Sequence, residues 1–344
     1  MRCVETEDSE LVASFEAARS FVVSVTGYAH SMNTHESNAV SDRSTPTVGE
    51  VLVPEGDGSA HPLVKASDRR SSFDGQPTVR MPSGAHLPAL GLGTWQLVGA
   101  DLRTLVDEAL GIGFRHIDTA QMYGNEADIG AAIEASSIDR NDIFITTKID
   151  NDHHEPGPLV ASVQASLERL GTDHVDLLLV HWPVDFERVG ATMSALAQVQ
   201  ASGLAHHIGA SNFTVEQLDD AAGFAPLEVL QCECHPFLQQ IELRNWCVRQ
   251  DWAFTAYSPL ARGDVLVDDT LRELAEKHSV SPASIAVAWL LTQPQTAAIP
   301  KSSDVDHLRD NWAALSVELD QVDLDHISAL DERRRLVDPD IAPW

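Results

Sequence analysis

Lysine is nearly missing from this chain: Lys65, Lys148, Lys277 and Lys301 stand alone in 344 residues, against 52 carboxylates. The formal net charge of −29 and a pI near 4.6 argue against nucleic acid as a partner, because phosphate binding needs lysine and arginine gathered on one face. Cysteine is scarce too. Cys3, Cys232, Cys234 and Cys247 have neither disulfide nor zinc spacing, and Cys232 and Cys234 share one face of a predicted strand, which reads as core packing. His153-His154 is the one tempting metal pair, but adjacent side chains diverge and no third ligand is evident, so no metal is expected. No apolar run approaches the roughly 18 residues that a membrane span needs. Phe21-Val-Val-Ser-Val is short and follows acidic residues, so a soluble, cytoplasmic protein is expected.

What is present is a hydrophobic content of 43%, ample for a large core, but unevenly spread. Residues 1–76 are rich in Ser, Asp, Glu, Gly and Pro, which predicts a largely disordered extension with at most a short helix over 11–25. From Pro77 the pattern changes. Thr78-Val-Arg-Met and Ala85-His-Leu-Pro read as two short strands around a glycine turn. Strands then alternate with helices: strands at 89–95, 114–118, 143–147, 175–180, 206–210, 228–233, 253–257 and 296–300, and amphipathic helices after each. The helical stretch 268–293 should break at Ser281-Pro282, and an extra helix is expected near 321–332. Eight such alternations predict a (β/α)8 barrel of the TIM type over residues 77–344, with the hairpin as a cap. An open doubly wound sheet would need a phosphate-binding glycine turn, and Gly91-Leu-Gly-Thr-Trp is not G-x-G-x-x-G.

A barrel gathers the ends of its strands on one face. Thr94, Asp118, Lys148, His181, Ser211, Asn212, Gln231, Tyr257 and Lys301 all fall at such ends, and Tyr123 follows Asp118 on a polar loop. Singly, each has a plain structural explanation as a cap, a surface residue or a packed ring. Together they point to chemistry. The stretch Gly113-Phe-Arg-His-Ile-Asp-Thr-Ala-Gln-Met-Tyr-Gly-Asn-Glu resembles the signature of the aldo-keto reductases. Leu167-Glu-Arg-Leu-Gly-Thr-Asp-His-Val-Asp-Leu-Leu-Leu-Val-His-Trp-Pro, Ile208-Gly-Ala-Ser-Asn-Phe, Gln231-Cys-Glu-Cys-His-Pro, Tyr257-Ser-Pro-Leu and Ile299-Pro-Lys-Ser follow in that family's order. The short end after Arg335 is similar to that of prokaryotic diketogluconate-reductase-like members.

The resemblance implies reduction of aldehydes or ketones by a nicotinamide, with Asp118, Tyr123, Lys148 and His181 as the catalytic four. No side chain donates hydride, so the nicotinamide must, while an acid protonates the developing alkoxide. Tyr123 would be that acid, Lys148 would lower its pKa, Asp118 would keep Lys148 charged, and His181 would polarise the carbonyl. The resemblance also places Ser211, Asn212 and Gln231 at the carboxamide of the ring and Tyr257 against its face. Lys301 and Ser302 would hold the adenosine phosphate, with Asp310 and Asn311 near adenine. It further implies contacts from Thr94, Trp95, Asp118, Ser258, Leu260 and Ser303. Trp95, Tyr123, His181 and Trp182 would line an open substrate mouth.

Position 307 departs from the pattern. His307 stands where many NADPH-dependent members have arginine, and Asp304 stands where a small hydroxyl residue is common. Both weaken a 2′-phosphate site, with Arg309 as a compensating cation. NADPH is expected as cofactor, with NADH accepted, in a monomer whose only partner is a small carbonyl compound. The alternatives are a nicotinamide-binding sensor or regulatory subunit, which would not need all four groups, and a metal-dependent barrel hydrolase, which would need clustered ligands. High acidity with few lysines also resembles the composition of salt-accumulating halophiles.

Overall fold

A computed structural model describes Phe73 and residues 75–344. The expectations for the remainder of the N-terminal extension, including the helix over 11–25 and Cys3, fall outside the described residues. Two short antiparallel strands open the described chain, β1 (Thr78–Arg80) and β2 (His86–Pro88), joined through Gly84 at φ 87°. Their turn is fixed from outside: the Ser83 backbone N–H donates to Glu228 at 2.7 Å, just before a barrel strand begins. The hairpin therefore covers the N-terminal end of the barrel. Contacts with the barrel begin ahead of it, where Phe73 packs edge-on to Phe144 and the buried Gln76 carboxamide accepts from Arg115 N and donates to the Leu90 carbonyl.

The barrel strands are β3 (Leu92–Gly93), β4 (His116–Asp118), β5 (Phe144–Ile149), β6 (Val175–Val180), β7 (Ala205–Ser211), β8 (Val229–Glu233), β9 (Ala253–Tyr257) and β10 (Thr296–Ala298). They pair in parallel and in sequence order. Bridges from Leu90 to Ala298 and from Gly93 to Lys301 close the circle. At that seam only glycine fits, since a Cβ on Gly93 would lie 2.6 Å from the Ile299 carbonyl oxygen. Several of these strands are apolar on both faces, as in Leu177-Leu-Leu-Val, because one face meets the barrel interior and the other meets helices.

Around them lie α1 (Gly99–Ile112), α2 (Glu126–Ala135), α3 (Pro156–Leu170), α4 (Val189–Ala201), α5 (Val215–Ala222), α6 (Ile241–Gln250), α7 (Asp269–His278), α8 (Pro282–Thr292), α9 (Val305–Ala313) and α10 (Gln321–Ser328). Their ends follow local chemistry. α3 starts with Pro156 and stops at Gly171 in the left-handed conformation, and α5 opens with a Thr214–Gln217 capping box. Ser281 caps α8 by accepting from Ser284 N, which separates it from α7 as the sequence predicts. Cys232, Cys234 and Cys247 are fully buried, reduced and part of the core.

Candidate active site

The C-terminal ends of the strands meet at Lys148. Its ammonium donates to Asp118 Oδ1 at 2.5 Å, to the Thr119 carbonyl at 2.8 Å and to Tyr123 Oη at 3.4 Å. The ion pair is dry, with 1% of the Lys148 side chain and 3% of that of Asp118 exposed. Gln231 Nε2 donates to Asp118 Oδ2 at 2.7 Å, so both carboxylate oxygens have partners. β4, β5 and β8 thus each supply one member of a single buried network.

Tyr123 is held by a short turn after β4, and its ring lies edge-on to Trp95 at 4.7 Å and to His181 at 5.7 Å. Burial pushes the Tyr123 phenol above 10; Lys148 acts in the opposite direction and Asp118 adds to the rise. The expectation that Lys148 lowers this pKa thus holds for its own contribution but not for the net shift, because desolvation of the phenolate is larger. Burial alone would lower Lys148, yet Asp118 and Tyr123 outweigh it and leave the ammonium favoured. Burial, then Lys148 and His154, hold His181 well below its usual value, so its imidazole is neutral near pH 7. Its Nδ1 is buried with no hydrogen-bond partner.

The groups expected near a nicotinamide are adjacent but already linked to one another. Asn212, at φ 65°, donates to the His181 carbonyl at 2.9 Å and accepts from Tyr257 Oη at 2.8 Å. Ser211, at the end of β7, and Gln231, in the middle of β8, are buried beside it. Thr94 points its hydroxyl at the Asp118 carbonyl, 2.8 Å away, so that group serves the frame. Ser258 and Leu260 follow β9 and are partly exposed.

The outer group is spread along the start of α9. Lys301 and Ser303 are exposed, and among the described residues Lys301 has no ion-pair partner. Ser302 donates to the Asp304 carbonyl at 2.6 Å, and Asp304 caps α9 by accepting from Asp306 N. His307 is exposed. Arg309, expected as a spare cation, instead contacts Asp306 at 2.9 Å and Glu108 at 3.8 Å. Asn311 is buried with Oδ1 unpartnered, while Asp310 is partly exposed.

Of the aromatic residues expected at the mouth, Trp95 is 47% exposed, whereas Trp182 is 6% exposed. The Trp182 ring is tilted against Trp344, the last residue, at 5.7 Å. The tail therefore packs against Trp182 on this side.

Three supporting arrangements were not singled out from the sequence. Asn125 spans the site loops, donating to the carbonyls of Thr94 and Leu97 and accepting from Thr119 Oγ1. Glu126, buried, accepts from Thr147 beside Lys148 and pairs with Arg169 at 2.6 Å. Glu233, also buried, accepts from His235 Nε2 and from the backbone N–H groups of Leu336 and Val337, fastening the tail.

The sequence profile of the aldo/keto reductase family matches residues 89–332. The chain belongs to that family. An aldo-keto reductase of Mycobacterium sp. (strain KMS) is 37% identical over 266 residues, spanning 76% of this chain and 96% of the relative. Methylglyoxal reductase DkgB of Escherichia coli O157:H7 is 37% identical over 263 residues, 75% of this chain and 98% of the relative. A crystal structure provisionally named 2,5-diketo-D-gluconic acid reductase B superposes with a TM-score of 0.75 at 36% identity, covering 77% of this chain and 95% of its own. As an aldo-keto reductase the protein is an oxidoreductase of small carbonyl compounds, in a family that uses nicotinamide cofactors. Among the described residues no helix is long and apolar enough to cross a membrane.

Proposed function

We propose that the enzyme reduces small aldehydes and ketones, including dicarbonyls and sugar-derived keto acids, with NADPH preferred and NADH accepted. The observation that carries this reading is the buried Lys148 ammonium between Asp118 and Tyr123. The residues present suit a nicotinamide dinucleotide: the unpartnered Asn311 Oδ1 can accept from an adenine amino group, and Lys301 can meet a phosphate. When bound, the cofactor supplies the hydride.

Tyr123 is the acid. Its raised pKa keeps the proton on Oη throughout the neutral range, and Lys148 stabilises the phenolate once that proton has gone to the alkoxide. Asp118, braced by Gln231, keeps Lys148 charged and aimed. Neutral His181 orients the carbonyl as a hydrogen-bond donor. The DkgB relatives support a dicarbonyl substrate, and the assembly of all four groups supports turnover over a sensor that merely binds cofactor.

The test is Tyr123→Phe, measured for NADPH affinity by fluorescence and for methylglyoxal turnover. Affinity should hold within about twofold while kcat falls about 10²–10⁴-fold, the usual contribution of a positioned acid. Undiminished kcat would remove Tyr123 from the role.

A further inference from the structure

The opposite end of the barrel carries a cluster that carbonyl reduction does not use. His174 directly precedes β6, Asp176 is its second residue, and His206 is the second residue of β7. Positions 174 and 176 lie on one face by strand alternation. The pairing of Val175 with Ala205 and of Leu177 with His207 sets His206 beside Asp176 on the neighbouring strand.

The two imidazoles stack, with centroids 4.1 Å apart and planes 23° apart. One ring nitrogen of each and a carboxylate oxygen of Asp176 lie within 4.8 Å of one another. We propose that His174, His206 and Asp176 form a site for a borderline divalent ion of the zinc type, bridging the N-terminal ends of β6 and β7.

Three details support the site. His206 Nδ1 and Asp176 Oδ1 are 4.0 Å apart, too far for a hydrogen bond and slightly wider than the ~3.3 Å edge of a tetrahedral zinc shell, and binding requires the stacked rings to turn apart so that both in-plane lone pairs meet one ion. Asp176 Oδ2 accepts from Arg140 Nη2 at 3.0 Å and from Ile145 N at 2.9 Å. Those bonds fix the carboxylate and leave Oδ1 for a ligand. Asp173 holds His174 Nδ1 at 2.7 Å, the carboxylate–histidine pairing that selects a tautomer with Nε2 as the lone-pair nitrogen. Two imidazoles and one carboxylate suit zinc, nickel or copper rather than calcium or magnesium. The neighbouring Arg140 guanidinium opposes a cation, so binding is weaker than at a structural zinc site, and water completes the shell.

The experiment uses the full-length untagged protein, stripped with chelator and titrated with zinc chloride alone in a calorimeter. One equivalent should bind, and saturation should raise Tm by a few degrees, on the order of 2–4 °C for each kcal/mol of binding linkage. His206→Ala is the first variant, since 52% of that side chain is exposed and its loss should leave folding intact. His174→Gln is the second. Each should weaken zinc binding at least about 10-fold, the lower range seen when a metal site loses a supporting group. Methylglyoxal turnover should not change in either. Cobalt(II) in place of zinc should give a visible absorption band that both variants lose. Zinc affinity unchanged in both variants, no binding at millimolar zinc, or binding lost in His153→Ala instead would overturn the site.

Discussion

Two of the four lysines sit at the rim of the same barrel and behave as opposites. Lys148 is sealed from water with three partners, while Lys301 stands exposed and has no ion-pair partner among the described residues. A dry ammonium keeps its charge only because Asp118 compensates for lost hydration. A wet one needs no partner and is available to an incoming phosphate. The same residue type is thus built in at one position and held in reserve at the other.

Substitution should separate the two most sharply. Lys148→Met leaves the Asp118 carboxylate buried beside a single neutral donor, and should cost about 3–5 kcal/mol of unfolding free energy, read by urea denaturation. Lys301→Met should stay within about 0.5 kcal/mol. Comparable losses would mean that the two environments are alike. The Lys148 contribution also has a pH signature. Burial lowers its folded pKa but Asp118 and Tyr123 more than offset that and raise it above that of a free lysine, so the stabilisation is fully present below the free value and is lost as pH rises through the folded value. The stability gap between wild type and Lys148→Met should be flat from pH 7 to about 10 and shrink only beyond it.

A smaller effect is expected at the outer lysine. His307→Arg should tighten NADPH by about 1.5–3 kcal/mol through a charge-assisted bond and leave NADH unchanged. Equal tightening of both would show that position 307 does not face the 2′-phosphate. Smallest is the response to salt. Raising sodium chloride from 0.1 to 1 M shortens the screening length from about 10 to 3 Å. That should loosen NADPH, through Lys301, while raising Tm, because self-repulsion among the carboxylates of a chain at −29 is relieved. A Tm that falls with salt would remove any halophilic reading of the composition.

The sequence exposed the inner lysine's setting more fully than the outer one's. Asp118 and Lys148, each with a plain explanation when taken singly, were legible together because barrel closure brings strand ends onto one face and because the stretches around them resemble those of the family. The order of strands and helices was legible for a related reason, as each buried strand is a short apolar run with polar punctuation. The Glu126–Arg169 pair was not, since its members are 43 residues apart and each alone looks like a helix surface residue. Glu233 did carry a signal. A carboxylate between Cys232 and Cys234, on a strand buried along its whole length, requires a hydrogen-bonding partner, but nothing local says that the tail provides it. The packing of Trp182 against the tail was hidden for the same reason: Trp344 is 162 positions away.

The Glu233 fastening grips the tail by its backbone, at Leu336 N and Val337 N. Any amino acid except proline offers the same N–H, so the clamp is indifferent to which side chains follow it. The segment from Asp338 to Trp344 can therefore drift in sequence while its root stays fixed, and Trp344 can be exchanged for smaller or polar residues without releasing the anchor. A lineage could rewrite the face beside Trp182 one substitution at a time, with the buried Asp118–Lys148–Gln231 network on β4, β5 and β8 left alone.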